Sequence, residues 1–153
     1  MIRRAEPEDI HALIEMGQAF FIEAGWSARA AFDVESFAVT CGALMEGGVL
    51  LVAEKGDEII GMAGAAIAPA WWNRNVLTGQ EVFYYARPGH RKGTGRMLFA
   101  GLEVAVKSLG VVLFSMAAEE GLRSEALTRL YRARNYFPAE RTFWKVFAQE
   151  SPK

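Results

Sequence analysis

Seven consecutive residues near the middle of the chain, His90-Arg91-Lys92-Gly93-Thr94-Gly95-Arg96, combine what an anion-binding loop needs. Arg91, Lys92 and Arg96 bring positive charge and Thr94 a hydroxyl, while Gly93 and Gly95 let the backbone approach a ligand without a Cβ in the way. The stripe that follows, Leu98, Leu102, Ala105 and Leu109, has the spacing of a helix. The loop would therefore lie at a helix N-terminus, where backbone N–H groups lack internal partners and the helix dipole favours an anion. A solvated turn whose glycines only reverse the chain fits the same residues. Two better-known phosphate loops do not. The spacing is not Gly-x-x-x-x-Gly-Lys-Ser/Thr, and Gly93-Thr94-Gly95 runs on into Arg96-Met97-Leu98 without a third glycine.

The elements that must hold this loop can be read around it. Met1–Arg4 fits an edge strand. Over Pro7–Glu23, residues Ile10, Leu13, Ile14, Gly17, Phe20 and Phe21 form an amphipathic helical stripe, with Pro7 suited to its start and Gly25 to its stop. Asp33 can cap a second helix, packed through Phe37, Cys41, Leu44 and Met45 and ending at Gly47-Gly48. Val49–Ala53 and Glu58–Ala68 are apolar runs about a Lys55-Gly56-Asp57 turn, hence a hairpin. Glu81–Ala86 is a third strand leading into the loop. After the loop's helix, closed by Gly110, Val111–Met116 reads as a buried strand, Ser124–Arg134 as a helix and Thr142–Ala148 as a final strand. The order β-α-α-β-β-β-α-β-α-β is that of an α/β layered domain with a mixed sheet.

Length and composition bound the rest. A chain of 153 residues with 52% hydrophobic and 23% charged residues fits one globular domain, residues 1–153. Its 17 basic and 18 acidic residues leave a net charge of −1, which argues against a dedicated nucleic-acid or acidic-membrane partner. Cys41 is the sole cysteine, and His11 and His90 lie far apart, so neither a disulfide nor a local metal motif is expected. The N-terminus turns acidic where a signal peptide would be apolar. The longest uncharged apolar stretch, Gly61–Trp72, is shorter than the ~20 residues of a spanning helix. A cytoplasmic location is the expectation.

Pro88-Gly89-His90-Arg91-Lys92-Gly93-Thr94-Gly95-Arg96 resembles the pyrophosphate loop of the GNAT superfamily of acetyl-CoA-dependent N-acetyltransferases. Leu130-Tyr131-Arg132-Ala133-Arg134-Asn135-Tyr136 resembles the family's Leu-Tyr-x-x-x-Gly-Phe, and Ile2-Arg3-Arg4-Ala5-Glu6-Pro7-Glu8-Asp9-Ile10 its usual first strand and helix start. Asn135 stands where Gly is usual, and Asn also tolerates the left-handed conformation that ends a helix. The three motifs span nearly the whole chain in the family's order. The resemblance implies a mostly antiparallel mixed sheet flanked by helices.

It also implies a reaction, attack by an acceptor amine on the thioester of acetyl-CoA, with no metal. An amine resembling Lys has a pKa of ~10.4 in water and must lose a proton to attack. Glu81 matches the strand position that carries a general base in some members, and Tyr131 matches the tyrosine near the cofactor sulfur, a candidate general acid. A strand-end glutamate that is merely solvated, and a tyrosine that merely belongs to an apolar stripe, are the bland alternatives. By the same resemblance Tyr85 and Ala86 would offer main-chain groups to the pantetheine arm, and Arg91, Lys92, Gly93, Thr94, Gly95 and Arg96 would meet the pyrophosphate. Trp26, Trp71, Trp72 and Asn73 are candidates for the wall of the acceptor site, and the tryptophans fit core capping equally well. The acceptor would be a small-molecule or peptide amine. Homodimers occur in the family, and a non-catalytic CoA-binding or sensing module is the alternative function.

Overall fold

Arg3 explains how the chain begins. Its guanidinium donates to both carboxylate oxygens of Asp9, at 2.7 and 2.9 Å, and to Glu54 at 3.0 Å. Those bonds hold the buried Asp9 carboxyl below its ordinary value. They tie strand β1 (Ile2–Arg4) and the 3₁₀ turn Pro7–Asp9 to strand β2 (Val49–Lys55). The computed structural model describes residues 1–147.

Helix α1 (Ile10–Glu23) follows, buries Leu13, Met16, Gly17 and Phe20, and stops at Gly25, whose φ of 78° suits glycine. Asp33 caps helix α2 (Val34–Gly47) by accepting the Ser36 N–H at 2.7 Å, as its position in the sequence suggests. Cys41 is buried on α2, and burial pushes its thiol up to about 11.

Strand β3 (Glu58–Ala70) outruns its apolar run by two residues only, whereas β4 (Asn73–Ala86) begins eight residues before the expected Glu81–Ala86. The added pairing joins Ala66, Ile67 and Ala68 to Gln80, Gly79 and Thr78, a region with little apolar alternation to announce it. Helix α3 (Arg91–Ser108) crosses over to strand β5 (Val111–Ser115), and helix α4 (Ser124–Ala133) completes the regular elements. The sheet order is β1-β2-β3-β4-β5, antiparallel except for the parallel β4–β5 pair.

Alternation along the strands makes two cores. Leu50, Val52, Met62, Phe83 and Tyr85 pack with α1 and α2, whereas Leu51, Ala53, Ala63 and Ala65 pack with Leu98, Leu102 and Val106 of α3. Both faces of β2 are thus covered, which is why Val49–Ala53 shows no polar alternation.

Two expectations fail together. The final strand over Thr142–Ala148 does not form: residues 142–147 lack strand structure, and Ala148 lies outside the described residues. Its residues, Phe143, Trp144, Val146 and Phe147 about one Lys145, are apolar on both faces and so specify no register. Trp144 instead stacks on Trp26, with ring centroids 5.5 Å apart. Strand β5, expected to be buried, is therefore the sheet edge and leaves Val112 68% and Leu113 47% exposed. Among the described residues no helix is long and apolar enough to cross a membrane, and no group of three metal-ligating side chains comes together.

Candidate functional site

Strands β4 and β5 pair only from Leu77–Val111 to Gln80–Ser115. At that point β4 carries a bulge against β3: Ala65 faces Glu81 and Gly64 faces Phe83, leaving Val82 as the extra residue. A bulge bends its strand and increases local twist, and from Glu81 to Ala86 the side of β4 that faced β5 has no ladder partner among the described residues. Tyr85 and Ala86 lie in this opened stretch, where main-chain groups can receive an extended ligand. The Ala86 carbonyl also accepts from Arg91 Nε at 2.9 Å.

The basic loop stands at the end of β4. The His90 N–H closes a turn on the Arg87 carbonyl at 3.0 Å. Lys92 (ψ 103°) and Gly93 (φ 92°, ψ −39°) are not helical, so the regular turns of α3 begin at Thr94. The first N–H groups from Thr94 onward then lack partners four residues back. Gly93 needs its positive φ, and a Cβ there would meet open space. Gly95 packs closely: a Cβ would stand 2.9 Å from the Tyr84 hydroxyl, so that side chain would have to shift. Lys92 and Arg96 are exposed at the loop. Arg91 is committed elsewhere, donating to both oxygens of Glu23 at 2.5 and 2.6 Å and lying over the Tyr85 ring at 5.5 Å. Its side chain braces the loop against α1.

The backbone of Ala117, just past β5, brings the two proposed catalytic residues together across the gap. Its N–H donates to Glu81 Oε2 at 3.0 Å, and its carbonyl accepts from the Tyr131 hydroxyl at 2.6 Å. Burial pushes the Glu81 carboxyl up to about 7, the Ala117 N–H opposes that rise, and the Glu119 carboxylate adds to it. Burial, then the charge of Glu81, drives the Tyr131 hydroxyl far above its ordinary value. Tyr84 rises to about 12 for the same two reasons. The site thus holds a carboxylate poised near neutrality beside hydroxyls that keep their protons.

Tyr131 is set by the end of α4. Asn135 adopts φ 65°, the left-handed conformation expected of it, and the Tyr136 N–H returns to the Tyr131 carbonyl at 2.9 Å. That closure stacks Tyr136 beside Tyr131 and Phe99, with centroids 5.7 and 5.6 Å away.

The four candidate acceptor residues are not brought together. Trp71, 92% exposed, and Trp72 form the tip of the β3–β4 hairpin, with Asn73 opening β4. Asn73 is eight residues before Glu81, about 26 Å along an extended strand. Trp26 instead lies against Phe20 (5.4 Å), and Phe20 against Tyr85 (5.8 Å), on the α1 side of the opened strand. Trp144 joins Trp26 there. Sequence reasoning missed Trp144, Tyr84, Glu119 and Ala117; only the aromatic density of 143–147 was a signal.

No protein-family model matches the sequence, and a comparison with curated proteins finds no match. Solved structures do match in fold. A transcriptional regulator from Bacillus halodurans C-125 aligns with TM-score 0.76 and 19% identity, over 96% of this chain and 99% of that one. A predicted acetyltransferase from Clostridium acetobutylicum, solved with acetyl-CoA, gives 0.74 and 18%, over 95% and 94%. An aminoglycoside acetyltransferase from an uncultured soil metagenomic sample gives 0.71 and 15%, over 97% and 98%. In its five-stranded sheet, antiparallel but for the diverging β4–β5 pair, and in its flanking helices, the chain has the GNAT fold.

Proposed function

We propose that this protein is an N-acetyltransferase that moves an acetyl group from acetyl-CoA to an amine. The observation that carries the proposal is the placement of Glu81 and Tyr131 on the two sides of Ala117, at the mouth of the gap between β4 and β5. Main-chain groups of Tyr85 and Ala86 would receive the pantetheine arm. The N–H groups of Thr94, Gly95 and Arg96, with the Lys92 and Arg96 charges, would receive the pyrophosphate. The open space at Gly93 suits close approach of a phosphate.

The acceptor nitrogen attacks the thioester carbonyl carbon, the new C–N bond forms, and the C–S bond breaks. Glu81, its carboxyl raised by burial to about 7, takes in its ionised form the proton that the amine must lose. A thiol of pKa ~8.5 is a stronger acid than an ordinary tyrosine at ~10, and Tyr131 is raised further. Full proton transfer from Tyr131 to the departing sulfur is therefore uphill. Its hydroxyl serves the reaction by donating a hydrogen bond to the developing thiolate, exchanging the Ala117 carbonyl for the sulfur.

Thiol release from acetyl-CoA over a panel of amines tests the reading, with CoA-dependent melting run alongside. Turnover with amine-dependent rates supports it. The alternative is a CoA-binding or sensing module, favoured by the regulator of Bacillus halodurans that shares this fold. A rise in melting temperature with CoA but no thiol release with any amine would establish that alternative. Neither response would remove both.

A further inference from the structure

The outer half of the sheet is covered on one face only. Helix α2 stops at Gly47, and its Leu44 side chain lies against Gly64, where an added Cβ would meet it at 2.8 Å. Past Gly64 no described helix lies over that face. The strand register sets out two rows there across three strands: Ala66, Gln80 and Ser115, then Ala68, Thr78 and Leu113. Thr78 is half-buried and the other five are exposed. On the opposite face Ile67, Gly79 and Phe114 pack together toward α3.

This bare floor is small and uncharged. Thr78 donates its hydroxyl proton to the Ala68 carbonyl at 3.0 Å, which leaves that donor satisfied. Over residues 59–80 the only charged side chain is Arg74. A solvated sheet face ordinarily carries polar, charged side chains, and this one carries no charge. The same two strands hold large apolar groups at their tip, where Trp71 is 92% and Trp72 54% exposed. The Asn75 N–H, donating to Asn73 Oδ1 at 3.0 Å, fixes the turn that presents them. Trp71 stands roughly 17 Å along the extended chain from Ala66, and at that exposure it covers none of its own floor.

Knob and floor on one arm suit a second arm. A two-fold axis through the middle of the arm sets the tip of each copy on the floor of the other, and association closes at two. We infer that the β3–β4 arm is the interface of a homodimer, in which Trp71 and Trp72 of each copy lie on the Ala66, Ala68, Thr78 and Leu113 surface of the other. Covering both indoles removes roughly 350 Å² per copy and a similar area of floor, or roughly 1,400 Å² over the two-fold, the size of a standard stable interface. A bilayer or a nucleic acid would find a single cation on the arm and leave the floor bare.

Sedimentation equilibrium of the full chain, from about 1 μM upward, reads the mass against 16.9 kDa for one copy. The wild type is expected to reach twice that mass. Trp71→Ser/Trp72→Ser should raise the dimer Kd at least ~30-fold, the loss of a hot spot. Ala68→Glu, which sets a carboxylate beneath the other copy's indole at an exposed position, should do the same. The two variants alter opposite ends of the arm, so misfolding of one, seen by circular dichroism, leaves the other to decide. Mixed in equal amounts, they should associate with each other more tightly than either does with itself, because one intact knob-and-floor contact survives. A wild type that stays monomeric, or a dimer that neither variant weakens, would overturn the inference. So would a dimer lost with the tryptophans but untouched by Ala68→Glu, since that is a tip-to-tip contact. Monomers that sediment with phosphatidylserine vesicles through Trp71 and Trp72 would overturn it in favour of a bilayer. Every readout is a mass, and none depends on acetyl transfer.

Discussion

Replacing Glu81 by Gln separates a catalytic base from a structural carboxylate, because the two roles respond to pH in opposite directions. In the unfolded chain this carboxyl ionises near its ordinary 4.5, and in the folded protein near 7. Folding therefore takes up a proton between those values. The favourable contribution of Glu81 is complete below about pH 4.5 and is lost as pH rises through about 7. The gap converts to about 3 kcal/mol, and water reaching a half-buried group screens part of it, leaving roughly 1.5–3 kcal/mol. Gln keeps an oxygen for the Ala117 N–H but never ionises. The variant should accordingly match the wild type near pH 4.5 and melt higher at pH 8 by roughly 3–12 °C. Its activity should move the other way. With an amine of low pKa, wild-type kcat/KM should rise with an inflection near 7, whereas the variant should be flat and lower by ~10²–10⁴-fold at the plateau. Calorimetric melting across pH and thiol-release kinetics read the two effects. A melting difference that does not change with pH, or a wild-type inflection near 4.5, would refute the desolvation argument.

Two further substitutions probe the neighbours of that carboxylate. Tyr131→Phe should lower kcat by about tenfold, at or below the low end of acid–base effects, because a hydrogen bond to the thiolate is lost rather than a proton donor. No high-pH fall attributable to Tyr131 should appear below pH 10 in the wild type, and CoA-dependent melting should persist in the variant. Gly95→Ala should weaken CoA binding by driving a methyl into the Tyr84 hydroxyl, 2.9 Å away. Adding Tyr84→Phe should restore binding, since the next ring atom is 3.7 Å from that Cβ; isothermal calorimetry of CoA binding over the four-way cycle decides it.

What the sequence displayed, and what it hid, follows from how far apart the interacting residues lie. The glycine turn that opens α3, the Asp33 cap and the left-handed Asn135 are local events, decided by a few adjacent residues, and each was legible. Arg91 was legible as a cation but not as a brace, because its partner Glu23 is 68 residues away. The extended β3–β4 hairpin was hidden because its outer half is exposed and pairs through backbone, which leaves little side-chain period. The final strand was overread for a related reason. Apolar residues in 142–147 signal burial, but a strand also needs a neighbouring edge in register, and Trp144 goes to Trp26 instead. Ala117 could not be found at all, since its contribution is main-chain and its methyl carries no chemical signal.

That main-chain contribution can be tested without touching either of the two proposed catalytic side chains. The Ala117 N–H holds the Glu81 carboxyl below the value that burial alone would set. Exchanging the Met116–Ala117 amide for an ester removes this donor while leaving the Ala117 carbonyl, and so the Tyr131 contact, in place. A hydrogen bond to a charged group is worth about 1.5–3 kcal/mol, which corresponds to a rise of about 1–2 pH units for the carboxyl. The low-pH limb of kcat/KM should move upward by that amount, the plateau at high pH should be reached later, and CoA-dependent melting should hold. A general base becomes a better proton acceptor as its pKa rises, so the plateau itself should not fall. A purely structural Glu81 would behave differently, losing stability with the donor while the pH profile stayed fixed. An unmoved limb would therefore take Glu81 out of the reaction, whatever its distance from Tyr131, and leave positioning between β4 and β5 as the source of the rate.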